Sequence, residues 1–338
     1  MKRAWGRDAR WIHSFDQIPV PGREVRLAKT ELGDFFDPRS HRMFVDYNEF
    51  VALTTSHRIV DLARFVKEES GGRLLVGVLF GYWGGYGDYL GKQAQQSGHA
   101  MLEPVFKLPH IDYIAAPAYY SDRDIGEATT WNLPVDTLQL HGKMVVNEAD
   151  TPTHLHKGFR WLSPKSLEES LQVLKRDVSA TLSKGMFQWW FFDRLGGAKM
   201  LEKAPEIVKL AGELNKVMEE ALQTDRSSIS EVAFVYDRHS LLCLHPHSML
   251  PGFIYYQMPE LMRMGAPFDI YLLSDIGAVI KKPYKLVILF GTYWLNEKQR
   301  RALDALKRNG RTLVFVYASG IVTDDGLGAE KASKVMGI

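Results

Sequence analysis

From about residue 50 onward the chain alternates two patterns. Stretches with apolar residues three and four apart are followed by short continuous apolar runs. The first pattern predicts helices with one buried face, and the second predicts strands buried on both faces, which together mean a parallel α/β architecture. A helix over 49–68 (EFVALTTSHRIVDLARFVKE) leads to the strand RLLVGVLFGYW, and a short helix over 92–106 leads to IDYIAAPAYY. GKMVVNE, a helix over 166–184 and GMFQWWFFDRLGG follow, so four strands precede residue 197. A helix over 203–223 runs into the polar stretch TDRSSISE, which reads as a linker. Beyond it VAFVYD, FDIYLL, KLVILFG and TLVFVYA predict a second, open, doubly wound parallel sheet, with helices at YQMPELMRMG and NEKQRRALDALKRNG. The expected division is residues 1–225 and 226–338.

Composition narrows the class. In 338 residues, 46% hydrophobic and 12% aromatic content is enough for two cores. The 42 basic and 40 acidic residues nearly cancel, and no run of like charge suggests a nucleic-acid groove. The single cysteine, Cys243, excludes an internal disulfide framework and any Cys-based zinc spacing. No segment reaches the roughly 20 apolar residues of a membrane span, and the first residues lack the apolar core of a signal peptide, so the expectation is a cytoplasmic protein with no membrane or nucleic-acid partner.

Polar residues just after parallel strands converge on one mouth. The four ends place there Tyr82, Trp83 and Asp88; Tyr119, Tyr120 and Arg123; Asn147, Glu148 and Asp150; and Trp189, Trp190, Asp193 and Arg194. Carboxylates among aromatic rings suit a sugar, because ring faces stack on C–H surfaces while carboxylates accept hydroxyl hydrogen bonds. Glu148 is the candidate nucleophile, since a strand terminus holds a carboxylate more rigidly than a loop. A solvated strand-closing carboxylate is the bland alternative at even weight. Tyr120 and Arg123 either cap a strand, pairing with Asp122 or Asp124, or keep Glu148 ionised. Four consecutive aromatics cannot all face one side, so one of Trp189 and Trp190 is expected at the mouth.

Other features read as structural. GYWGGYGDYLG lacks phosphate-loop spacing and is expected to be a flexible mouth loop. His154 with His156, and His245 with His247, have metal-like spacing without a third ligand, and solvated loop histidines are expected. Asn48–Glu49 looks like the acid/base pair of sugar-cleaving barrels, but helical periodicity follows it, so Asp46 or Asn48 is expected as an N-cap with Glu49 in the first turn. No strand-to-helix elbow surrounds Cys243, which counts against an amidotransferase nucleophile.

Several segments resemble the glycoside hydrolase family 42 β-galactosidases. DPRSHRMFVDYNEF is similar to the segment after that family's fourth barrel strand, IDYIAAPAYYSDR to its sixth strand, LHGKMVVNEADT to its seventh and GMFQWWFFDRLGG to its eighth. LVILFGTYWLNEKQRRALDALKRNGRTLVFVYASG resembles its second domain. The resemblance implies the C-terminal half of a TIM (β/α)8 barrel, strands five to eight, followed by a flavodoxin-like or amidotransferase-like open parallel sheet that is incomplete at its C-terminus. It implies a retaining glycosidase acting on a β-galactoside or oligosaccharide, with Glu148 as nucleophile and Tyr82, Tyr120, Arg123, Asp150, Trp189 and Trp190 binding substrate. No cofactor or metal is expected, and a homo-oligomer, a trimer by resemblance, is. The family's acid/base Asn-Glu pair has no counterpart in residues 1–45, so the chain is expected to be an inactive internal piece of a longer enzyme. The alternative is a non-catalytic carbohydrate-binding or assembly protein on the same fold. A nucleotide-binding or amidotransferase role for the second domain is the third reading.

Overall fold

The computed structural model describes residues 12–22, 33–82, 98–156, 164–245, 248, 250–308 and 310–338, with Glu24 and Arg26. Helix α1 (Arg42–Glu69) buries Val45, Asn48, Ala52, Ser56, Val60 and Ala63, a stripe at steps of three and four. It begins well before the expected start. His41, not Asp46 or Asn48, is at the N-cap, and Glu49 lies a full two turns in. The reason is that Val45 and Asn48 extend the buried stripe toward the N-terminus. Asn48 is buried there and donates through Nδ2 to the Leu242 carbonyl at 3.2 Å, so its polarity signals a tertiary contact rather than a cap.

Strands β1 (Gly77–Leu79), β2 (Tyr113–Pro117), β3 (Met144–Ala149) and β4 (Phe187–Trp190) form a parallel sheet in chain order. Between them lie α2 (Glu103–Lys107), α3 (Val135–Leu140) and α4 (Leu167–Ser183), whose N-cap Ser166 accepts the Glu169 amide at 3.1 Å. Beyond β4 come α5 (Phe192–Leu195), α6 (Ala198–Lys203) and α7 (Pro205–Ala221). This is the strand-helix alternation of half a TIM barrel. Among the described residues β1 pairs only with β2 and β4 only with β3, so the sheet has two open edges. β1 is much shorter than its apolar run, and Leu74 and Leu75 beside it are exposed.

Register and pleat sort the side chains of this sheet. Gly77, Tyr113 and Met144 make one row, Leu79, Ala115, Val146 and Phe187 the next, and Pro117, Glu148 and Trp189 the last, all on one face. A Cβ at Gly77 would fall inside the Tyr113 ring, 1.9 Å from its Cζ, so only glycine fits beneath that tyrosine. The opposite face carries Ile114, Ala116 and Val145, which are buried against α1, α2 and α3. Helices thus back this second face, while on the first face Ala115, Val146 and Pro117 are buried and Tyr113, Met144, Glu148 and Trp189 are half-buried.

The second sheet consists of β5 (Val232–Tyr236), β6 (Phe268–Leu272), β7 (Leu286–Phe290) and β8 (Thr312–Phe315), parallel in the order β6-β5-β7-β8. That is the flavodoxin-like order. Its linking helices are α8 (Leu250–Arg263), α9 (Ile276–Lys281) and α10 (Glu297–Leu306), and a hairpin of β9 (Val322–Thr323) and β10 (Gly326–Leu327) precedes α11 (Ala329–Met336). Its central strands are buried on both sides. Phe234, Tyr236 and Phe290 join Ile114 and Val145 of the first sheet in one apolar cluster, whereas Ala233, Val235, Val287 and Leu289 face a second cluster with α9 and α10. The first and second sheets thus share a core. Arg238, fully buried after β5, donates to the Gly81 carbonyl at 2.5 Å and also to that of His99, fastening the end of β1 to the second sheet.

Candidate active site

Glu148 is the next-to-last residue of β3, half-buried, on the face of the first sheet that the helices leave uncovered. Trp189 stands beside it in register on β4, where its indole favours the ionised Glu148 carboxyl. Edge-on contact with Tyr113, centroids 6.2 Å apart at 86°, fixes the Trp189 ring. The strand end is tied down from behind. The Phe191 amide donates to the Ala149 carbonyl at 3.1 Å, and Thr153 donates through Oγ1 to the Leu195 carbonyl at 2.6 Å.

Arg123, Asp150 and Tyr120 form a second layer. The Arg123 guanidinium is almost wholly buried; it donates to the carbonyls of Tyr119 at 3.0 Å and Ala118 at 2.5 Å, and pairs with Asp150 at 2.7 Å. It also lies over the Tyr120 ring, 4.1 Å from the centroid, and Tyr120, like Arg123, favours the ionised form of Asp150. The expected pairing with Asp122 or Asp124 does not occur. Asp122 instead takes Arg263 of α8 at 2.8 Å, and Arg176 donates to the Asp124 carbonyl. Tyr120 and Arg123 are both directed mainly at Asp150, and Arg123 also favours the ionised form of Glu148. Burial, and then the Asp150 charge, push the Glu148 carboxyl above its ordinary value against the opposing pull of Trp189, Arg123 and Arg194. Burial raises Asp150 too, although Arg123 and Tyr120 oppose it.

The remaining sequence candidates separate. Trp190 faces the helices, where it packs with Leu195 and Leu210 and donates Nε1 to Asn215 of α7 at 2.9 Å. Asn147 shares that side, reaching Thr181 and Gln188. Tyr82 packs against His99 with centroids 5.1 Å apart, and the expected mouth loop with Trp83 and Asp88 lies outside the described residues. His154 engages Ser170 at 2.9 Å, and His245 is buried against Phe36 rather than solvated; His247 lies outside the described residues. Among the described residues no group of three His, Cys, Asp or Glu side chains could hold a metal, and no helix is long and apolar enough to cross a membrane. Cys243 sits in a 3₁₀ turn (His239–Cys243), buried, its thiol pushed up by burial and donating to the Ser240 carbonyl. A buried thiol of that kind is inert.

Two contributions fall outside the substrate-binding set expected from sequence. Arg194, in the helical turn after β4, acts on both Glu148 and Asp150. Tyr255 of α8 stacks on Tyr119 at 5.1 Å and 11° and donates to Ser121, so the second sheet's first helix props the end of β2. The strand-end position of Arg194 was a local signal, whereas nothing near Tyr255 in sequence points to Tyr119.

No family model matches the sequence, and no curated protein does. Among solved structures, the chain is similar to a catalytic mutant of Gan42B, a GH42 β-galactosidase from G. stearothermophilus. The identity is 16% and the TM-score 0.59, over 97% of this chain and 48% of that one. A second structure of Gan42B is 14% identical over the same shares, with a TM-score of 0.46. The chain thus has the fold of a GH42 β-galactosidase across nearly its whole length and spans about half the length of that enzyme. At this identity the likeness is one of fold.

Proposed function

We propose that Glu148 is the nucleophile of a retaining β-glycosidase site of the β-galactosidase type. The observation that carries this reading is the placement of Glu148 at a strand C-terminus on the uncovered sheet face, beside Trp189 and backed by a buried Arg123–Asp150 pair. In a retaining mechanism the carboxylate attacks the anomeric carbon while a second carboxyl, about 5–5.5 Å away, protonates the leaving oxygen. A rigid strand end and the Trp189 ring in register beside the attacking group, offering a face for the sugar's C–H surface, support the first of these roles. Residues 1–225 are taken as the half-barrel and 226–338 as a non-catalytic second domain, amidotransferase-like in ancestry. The substrate class is a β-galactoside or related oligosaccharide.

The test is trapping. The full-length enzyme, treated with a 2-deoxy-2-fluoro-β-galactoside, digested and analysed by mass spectrometry, should carry the sugar as an ester on Glu148. Label on another carboxylate refutes the assignment. Galactoside binding with neither label nor turnover favours a carbohydrate-binding protein that keeps the mouth without the chemistry.

A further inference from the structure

The contact between the first sheet and the second contains more buried negative charge than positive. Lys184, at the C-terminus of α4, places Nζ 2.8 Å from Asp136 of α3 and 2.7 Å from Asp269 of β6. All three side chains are at most 8% exposed. One ammonium ion cannot neutralise two carboxylates, and an unpaired charge in such a place is strongly disfavoured.

The two carboxylates are not equivalent. Asp269 also accepts the Ser228 hydroxyl at 2.6 Å and the Tyr284 hydroxyl at 2.5 Å, and has Lys282 at 3.8 Å. Asp136 has only one further partner, the Ile270 amide at 2.7 Å. Lys184 is therefore shared between the two, and Asp136 is the carboxylate with the fewer partners among the described residues. The other groups around α3 do not redress this. Tyr271 donates no bond to Asp136, and His141, just past α3, is taken by Asp275 at 3.0 Å. Lys282 donates to the Tyr271 hydroxyl at 2.7 Å.

The same residues hold the two sheets together. β6 is an edge strand, and its outward amides at Ile270 and Leu272 donate to the side chains of Asp136 and Thr137, the latter at 2.8 Å. The first turn of α3 thus covers an edge that would otherwise be exposed. A cavity of about 270 Å³, lined by Asp136, Lys184, Arg226 and Ser228, opens onto the cluster and admits water and protons.

We propose that the Asp136–Lys184–Asp269 cluster is a proton-dependent latch between the half-barrel and the second sheet, tightening as pH falls and loosening as pH rises. The bound proton sits on Asp136 and removes the repulsion between two buried carboxylates that share Lys184, Lys282 lying at 3.8 Å from Asp269 and 43% exposed. Burial raises Asp136 to about 6 from an ordinary 3.8, whereas Asp269 lies near 2 because its pairing with Lys184 and its hydrogen bonds outweigh burial. Asp269 thus stays ionised throughout the range in which Asp136 titrates. The sign follows. A carboxyl raised by folding contributes stability that is complete below its unfolded value and is lost as pH rises through its folded value, so the loss falls between about pH 4 and 6.

The experiment compares the full-length protein with its Asp136→Asn variant, a neutral isostere that still accepts the Ile270 amide. Urea unfolding is measured from pH 4 to 7. The ratio of the wild-type to the variant unfolding constant should rise by up to about tenfold per pH unit between 4 and 6, then level off. A ratio that falls with pH, as an ordinary stabilising Asp136–Lys184 bridge predicts, overturns the proposal, and so does a flat ratio. Should Asp136→Asn fail to fold, carbon-detected titration of the wild-type Asp136 carboxyl decides the matter. A midpoint near 6 supports the latch, and one at or below 4 refutes it.

Discussion

At the residue scale, Glu148 was legible and its surroundings were not. An apolar strand ending in a carboxylate is a local pattern, and it places Glu148 on the sheet face where the structure has it. The Arg123–Asp150 pair depends on how the β2 and β3 ends approach each other, which no local pattern encodes, so Arg123 was read as a partner for Glu148. Two predictions belong here. If Asp150 helps hold the Glu148 proton, Asp150→Asn should move the acidic limb of the pH–kcat/KM profile of the full-length enzyme to lower pH, because it removes a repelling charge and leaves Arg123 facing Glu148. An unmoved limb, or one displaced upward, contradicts that coupling. Replacing Arg123 with Met strands a buried carboxylate, with an expected cost of roughly 3–5 kcal/mol in urea denaturation. Adding Asp150→Asn to that variant should recover much of the loss, since no charge then remains unpaired. Both carboxyls are raised by folding, so their own stability terms are complete below the ordinary carboxylate range and decline as pH rises through their folded values.

At the element scale, periodicity located the strands of both sheets and most of the helices between them, and it failed where a polar residue sits inside a buried stripe. Asn48 is such a residue. Read along the chain it resembles a cap, yet in the fold its amide serves the Leu242 carbonyl. Asn296 is the contrasting case: a genuine N-cap, exposed, accepting the Gln299 amide at 2.9 Å while the Gln299 side chain returns the bond. Asn296→Ala should therefore cost about 1 kcal/mol through the loss of a cap. Asn48→Ala should cost about 1–3 kcal/mol, because a buried carbonyl loses its partner. Chemical denaturation of the two variants ranks them, and an equal or reversed order would mean that the Asn48 contact is dispensable. The short β1 is a third lesson at this scale. Its apolar run predicts a long strand, but a strand extends only where a neighbour runs beside it, and among the described residues β1 has β2 alone.

At the scale of the whole molecule, described helices back one face of the first sheet, and the other face is exposed at its β1 edge. In a closed barrel the row of Leu79, Ala115, Val146 and Phe187 would meet the rows of opposite strands, and the inward layers would fill the interior. Here Leu79 is 47% exposed, and Leu74 and Leu75 beside it are 56% and 70% exposed, on a strand that among the described residues pairs on one side only. Such an edge is a template for pairing with another chain. The 338 residues expressed by themselves should accordingly bind a hydrophobic dye and show concentration-dependent association in sedimentation velocity. The helix-covered face and the shared core are already buried, so this tendency should reside in the uncovered face. Leu79→Lys should then reduce dye binding and association while changing the thermal midpoint little, since it removes an exposed apolar group and not a packed one. A monodisperse monomer that binds no dye would show that this face and edge need no partner.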